Sequence, residues 1–315
     1  MNATTTILDL IGGTPLLPLR RLGPPGGARI LLKVESQNPT GSMKDRMALA
    51  MIEAAEADFR LPAGGAVVEY TGGSTGVSLA LVCAVKGHPL HIVTSDAFSQ
   101  EKLDHMRILG AELDVIRSED GRMTEKLTKD MIARADVIAG RTGAYWTDQM
   151  KNTDQLAAYT VLAREIWEQT QGRVDAFVQS VGTAASLRGT GEALRALNPG
   201  VRLVAVEPAE SAVLSGGPAG AHKIDGIGAG YVVPLWRADL PDAIEPVSTE
   251  AAKAMALRLA REEGLFAGTS TGANVVAALR EAQRLGPDAT IVTMMCDTGM
   301  KYLKTFGGVP ARPAA

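Results

Sequence analysis

The chain has 315 residues, 46% hydrophobic and only 4% aromatic, with 34 glycines, which suits aliphatic α/β cores with many tight turns, in two lobes or one large unit. Lysine plus arginine (32) against aspartate plus glutamate (35) leaves a net charge of -3, which argues against a nucleic-acid or polybasic membrane role. Two cysteines, Cys83 and Cys296, are too few for a disulfide framework and read as buried thiols of a reducing, cytoplasmic setting.

Strand-like and helix-like segments alternate along the chain. Residues 29–35 read as a strand, 42–57 as a helix, 66–70 as a strand and 75–86 as a helix closed by Gly87. Next come strand 91–95, helix 100–109 ended by Gly110, strand 112–117 and a helix from 124 to about 139. A long helix (154–171) precedes strand 176–181, helix 183–197 and strand 202–207. The Gly/Pro-rich passage 215–231 interrupts the rhythm, and helices 250–263 and 272–284 and strand 290–295 complete it. The tail at 310–315 is expected to fray. Apolar runs joined by helices imply parallel strands covered on both faces. The N-terminus has no basic region followed by an apolar run, and the longest apolar stretches fall far short of the roughly 20 residues of a membrane helix. Zinc-like Cys/His spacing is missing, so no metal site is expected.

In a parallel sheet, ligands bind beyond the carboxyl ends of the strands, so the strand-to-helix turns hold the chemistry. The segment Asn38-Pro39-Thr40-Gly41-Ser42-Met43-Lys44-Asp45-Arg46 delivers one lysine to a helix start, with Ser42 as N-cap. The helix dipole and Arg46 would both favour a neutral, nucleophilic amine there, as Schiff-base chemistry requires. After strand 66–70, the loop Thr71-Gly72-Gly73-Ser74-Thr75-Gly76 interleaves hydroxyls with glycines and can wrap a carboxylate. The turn Gly182-Thr183-Ala184-Ala185-Ser186 offers backbone N–H groups, two hydroxyls and a helix N-terminus, an anion seat suited to a phosphate. Ala267-Gly268-Thr269-Ser270-Thr271-Gly272 opens a third helix and presents the neutral hydroxyl of Ser270. Each turn also reads as an ordinary tight turn with an N-cap.

Together these segments resemble the cysteine synthase/cystathionine β-synthase family of pyridoxal-phosphate enzymes. The resemblance spans nearly the whole chain, from Ile11-Gly12-Gly13-Thr14-Pro15-Leu16 through His222-Lys223-Ile224-Asp225-Gly226-Ile227-Gly228-Ala229-Gly230-Tyr231 to Asp297-Thr298-Gly299-Met300-Lys301-Tyr302-Leu303. It implies fold type II, two open, mostly parallel α/β lobes with the cofactor pyridoxal 5'-phosphate between them. Residues 40–145 would form the smaller, mobile lobe, and 1–39 with 146–315 the larger. Lys44 would form the internal aldimine. Gly182, Thr183, Ala184, Ala185 and Ser186 would hold the phosphate, Ser270 would face the pyridine nitrogen, and the shorter Ser74 would reach the ring oxygen only through water. Thr71, Gly72, Ser74, Thr75 and Gln149 would bind the substrate carboxylate, with Gly228 bordering the substrate.

The chain departs from the family pattern in three places. The carboxylate loop usually reads Thr-Ser-Gly-Asn-Thr-Gly, and here Gly72 replaces the serine and Ser74 the asparagine. Ala184 and Ala185 replace glycines of the phosphate loop and narrow its backbone freedom. Asn152-Thr153 stands where the family has an Asn-Pro pair after the Gln149 segment.

A neutral serine opposite the pyridine nitrogen makes the ring a weaker electron sink, which suits β-elimination better than transamination. The expected activity is β-replacement on an O-acetylserine-like amino acid through an aminoacrylate, with sulfide or another small nucleophile as second substrate. Net elimination, as in a serine/threonine dehydratase or desulfhydrase, is the alternative. A catalytically impaired cofactor-binding protein that docks an acyltransferase tail is a reading of another class. A dinucleotide oxidoreductase lacks its first-turn glycine fingerprint here. A homodimer is the family expectation.

Overall fold

The computed structural model describes residues 5–121 and 124–307, so the tail at 310–315 lies outside it. Among the described residues the strands gather into two sheets. The larger joins, in spatial order, Leu16–Pro18 (β1), Arg29–Val34 (β2), Thr290–Met295 (β10), Ala176–Ser180 (β7), Arg202–Pro208 (β8) and Ala243–Val247 (β9). The smaller joins Glu112–Ile116 (β5), Leu90–Ser95 (β4), Val67–Tyr70 (β3) and Tyr145–Trp146 (β6). Every pairing is parallel except that of β1 with β2.

The strands that the sequence pattern misses are β1, β6 and β9, and each lies at a sheet edge. Pro18 ends β1 and Pro246 lies within β9, and a residue without an N–H is tolerated only where one side of the strand has no partner. A two-residue strand such as β6 has no period to read.

The helices are Lys44–Ala57 (α1), Ser74–Lys86 (α2), Gln100–Ile108 (α3), Glu125–Thr142 (α4), Gln155–Gln169 (α5), Ala185–Leu197 (α6), Thr249–Arg258 (α7), Thr269–Leu285 (α8) and Leu303–Phe306 (α9). Gly87 closes α2 in the left-handed conformation that its lack of a Cβ permits. The helix expected over 250–263 instead leaves α-geometry at Leu259 and widens into a π-helical turn, Leu259–Glu263, closed by Gly264.

Successive residues of the central strands enter opposite cores, as the two-residue period of a strand demands. Leu31, Phe177, Val292 and Met294 face α1, α2, α5 and α6 in one cluster that continues into the smaller sheet through Val67 and Ile92. Leu32, Val178, Val204 and Ile291 face the other way, toward α7 and α8. Cys83 and Cys296 are both buried free thiols. No described helix is long and apolar enough to cross a membrane.

A buried ionic network fixes the start of α1. Arg46 donates from Nε to Glu35 Oε2 at 2.7 Å and from Nη1 to Glu165 Oε1 at 2.7 Å, while Lys33 Nζ lies 2.7 Å from Glu165 Oε2. Glu35 also accepts from Thr14 Oγ1 at 2.6 Å and Asn38 Nδ2 at 2.9 Å. Burial opposes the charge on Glu165, but Arg46 and Lys33 overcome it and hold the carboxyl at about 2. A carboxyl depressed below its unfolded value contributes stability that is complete above the unfolded pKa and is lost as pH falls through the folded one. Glu165→Gln is therefore expected to lower stability near pH 7 by ~2–3 kcal/mol, with the deficit shrinking as pH falls from about 4.5 toward about 2. Urea unfolding midpoints across that range check both the sign and the window.

Candidate active site

The carboxyl ends of β2, β3 and β7 lead into Lys44, the 71–76 loop and the 182–186 turn, and these, with Gln149 after β6, meet at one cleft of about 280 Å³ between the sheets. Lys44, Thr71, Gly72, Ser74, Thr75 and Gln149 line it. A deeper, narrow hollow of about 20 Å³ adjoins it, bounded by Lys44, Ser180, Gly182, Thr183, Ser186 and Ser270. Lys44 borders both spaces.

The lysine is the first residue of α1, and the loop before it is pinned by hydrogen bonds. Ser42 Oγ accepts the Lys44 N–H at 3.1 Å and donates to Asp297 Oδ1 at 2.6 Å, and the Met43 N–H donates to the Cys296 carbonyl at 2.8 Å. Formally Met43, not Ser42, is the N-cap, since the helix starts two residues later than the sequence pattern indicates. A second correction concerns Arg46. Its guanidinium turns into the Glu35–Glu165 network, so it does not serve as the cation beside Lys44. The charged partner on the Lys44 side is Asp297.

Asp297 lies just past β10, where pattern reading gave no hint of its centrality. Its Oδ2 accepts from Ser74 Oγ and from Tyr302 OH, each at 2.6 Å. Despite complete burial, the Lys301 and Lys44 cations and these hydroxyls hold the carboxyl at about 2, so it stays ionised. The short Ser74 side chain therefore points to Asp297 across the cleft floor.

In the rest of the 71–76 loop, Thr71 Oγ1 accepts the Gly73 N–H at 3.1 Å, and Thr75 Oγ1 donates to Gln149 Oε1 at 2.8 Å. Gln149 is positioned by a buried residue that the sequence did not flag. Glu69, the third residue of β3, accepts from Thr147 Oγ1 at 2.6 Å, from the Gln149 N–H at 3.0 Å and from the Tyr70 N–H at 2.9 Å.

The turn into α6 borders the deeper hollow. Ala184 occupies its N-cap position at φ 71°, a left-handed geometry that a non-glycine residue adopts at some cost, and supplies no side-chain cap. Ala185 N–H meets only the long 3.4 Å contact to Thr183 Oγ1. Ser186 Oγ accepts from Gln179 Nε2 at 3.1 Å, and Ser180 Oγ is buried with no partner. Gly182 is required by space, because a Cβ there would sit 2.6 Å from the Gly226 carbonyl oxygen. Ser270 is buried in the first turn of α8, beside Cys296 in the deeper hollow. Gly228 stands apart from the others. It lines a small neighbouring hollow with Gly182 and Glu207, whereas Ile227 and Ala229 face the cleft.

Burial pushes the Glu69 carboxyl up to about 7, with Asp148 adding repulsion and no cation compensating. An acid raised above its unfolded value makes the folded state bind the extra proton, so its burial destabilises the fold progressively from about pH 4.5 to about pH 7. Glu69→Gln is expected to remove that slope, while the amide's loss of one acceptor loosens Gln149. Stability measured against pH is the readout.

With this geometry in place, the relatives agree. Residues 7–297 match the family described as pyridoxal-phosphate dependent enzyme. The chain is 37% identical over 301 residues to the cysteine synthase of Staphylococcus aureus, covering 95% of each chain. Its fold is similar to the crystal structure of O-acetyl serine sulfhydrylase isoform 3 from Entamoeba histolytica, with a TM-score of 0.92 at 37% identity over 100% of this chain and 94% of that one. It is equally similar to the crystal structure of O-ureido-L-serine synthase, with a TM-score of 0.92 at 35% identity over 99% and 98% of the two chains. These likenesses run nearly the length of the chain: the protein belongs to the pyridoxal-phosphate dependent enzyme family.

Proposed function

We propose that this enzyme carries out β-replacement on an activated L-serine derivative of the O-acetylserine kind, with Lys44 as its catalytic amine and pyridoxal 5'-phosphate as its cofactor. What carries the reading is the meeting in one cleft of Lys44, the hydroxyl-rich 71–76 loop and the uncapped head of α6. The cofactor suits these residues. The Ser180 hydroxyl has no partner, and the first turn of α6 has no side-chain cap and only the long Ala185–Thr183 contact, which is the donor chemistry a phosphate satisfies. Gly182, Thr183, Ala184, Ala185 and Ser186 would hold that phosphate, Lys44 the aldehyde carbon and Ser270 the ring nitrogen. When bound, the cofactor's ring withdraws electron density from the α-carbon of an amino acid, which loosens both its α-proton and its β-leaving group.

The remaining steps belong to the protein. Thr71, Gly72 and Thr75, with Gln149 held by Glu69, supply N–H, O–H and amide donors to the substrate carboxylate and so orient its α-carbon toward Lys44. The amine of Lys44 takes the α-proton and returns it to the product. Asp297, ionised beside that amine, balances the positive charge the amine acquires. The neutral Ser270 hydroxyl leaves the ring nitrogen without a strong acid, which disfavours transamination. Residues 40–145 act as the mobile lobe. Because the 71–76 loop opens α2 and lies on that lobe, a bound carboxylate draws the lobe inward and excludes water.

Purified protein supplied with the cofactor is expected to show a visible absorption band that Lys44→Ala lacks, together with a loss of about 10³-fold or more in β-replacement turnover. Retention of full turnover by the variant would remove Lys44 from the reaction. Ammonia release measured without an added nucleophile separates net elimination from replacement.

A further inference from the structure

Residue 72 sits in the middle of the carboxylate loop, yet its backbone places no demand for glycine, since its φ lies outside the left-handed region. The demand is spatial. A Cβ built on Gly72 would fall 1.9 Å from both Cγ and Cδ2 of Phe98. The phenyl ring therefore occupies the volume that a side chain at 72 would fill. Phe98, on the turn between β4 and α3, continues into the cleft an apolar surface made with Tyr70, Met131 and Met150. Charged groups also line the cleft, Lys44 at the head of α1 among them. Lys102 stacks its amine 4.3 Å from the Tyr302 ring, and Asp225 and Asp297 come from the segments after β8 and β10.

We infer that Phe98, Tyr70, Met131 and Met150 form the subsite for the second substrate, and that this subsite selects an organic thiol bearing an apolar carbon group over bare hydrosulfide. The inference rests on the β-replacement reading above. Two rings and two thioether chains, with the Tyr70 hydroxyl bonded to Tyr231, give a small hydrated anion little in exchange for its lost water, whereas an apolar substituent gains in proportion to the area it buries. Unbranched methionines adapt to substituents of different shape. The reaction balances without an oxidant. The C–O bond to the leaving acetate breaks with its electron pair, the thiol sulfur forms the new C–S bond at the β-carbon, and the thiol proton is released.

The test uses the cofactor-loaded enzyme. Calorimetry with S-benzyl-L-cysteine and L-alanine reads the subsite without turnover, and steady-state rates on O-acetyl-L-serine compare phenylmethanethiol with sulfide. S-benzyl-L-cysteine is expected to bind about tenfold or more tightly than L-alanine, and Phe98→Ala to cut that ratio to about twofold. The thiol is expected to show the higher kcat/KM. Gly72→Ser alone is expected to weaken both amino acids through its collision with the ring, and the double variant Gly72→Ser/Phe98→Ala to recover L-alanine binding. Equal binding of the two amino acids, a preference that survives Phe98→Ala, or a harmless Gly72→Ser would each overturn the assignment. If neither amino acid bound the loaded enzyme, the carboxylate-loop reading itself would fall, and this subsite with it.

Discussion

One buried carboxylate holds the cleft together. Asp297 accepts hydroxyl hydrogen bonds from three separate segments: Ser42 just before α1, Ser74 at the head of α2, and Tyr302 near the end of the described chain. Each bond brings a loop to a common point, and that point lies beside Lys44. A buried anion is costly unless compensated, and here the compensation comes from those hydroxyls and from Lys301, whose own amine is buried without a hydrogen-bond partner. The Asp297 carboxylate thus ties the strand end after β10, the start of α1 and the 71–76 loop to one point.

The contrast with Glu69 shows what decides the state of a buried acid in this fold. Both carboxyls are buried, and both accept three hydrogen bonds. Asp297 has cations near it and stays ionised, whereas Glu69 has only neutral donors and the repulsion of Asp148, so its carboxyl rises. Hydrogen bonds of similar number and length do not offset desolvation by themselves; nearby positive charge does. The Glu35–Arg46–Glu165–Lys33 cluster follows the same rule, with cations and anions alternating so that each charge has its counterpart.

The departures from the usual family loops at positions 72, 74 and 184 each meet a local answer. Ser74, shorter than the asparagine it replaces, reaches Asp297. Gly72 vacates the volume that Phe98 fills. Ala184 adopts the left-handed conformation that a glycine would take freely, and the strain, of order 1–3 kcal/mol, is borne at the turn that faces the cleft. Strain held by surrounding structure at a functional turn is a recurring feature of binding sites.

How much of this was legible beforehand follows from the range of each interaction. Helix and strand periods, glycine stops such as Gly87 and the hydroxyl-rich turns are local, and the sequence alone was enough to find the alternating α/β order, Lys44 at a helix start and the loops around 71–76 and 182–186. The edge strands β1, β6 and β9 escaped because their pairing, not their pattern, defines them. Asp297, Glu69, the true direction of Arg46 and the Gly72–Phe98 fit all depend on residues distant in the chain: Ser74 and Asp297 are 223 positions apart, Glu69 and Gln149 80. No local period encodes such a meeting. Only the packing of the two sheets brought these groups within reach, and with it the charge balance around the lysine.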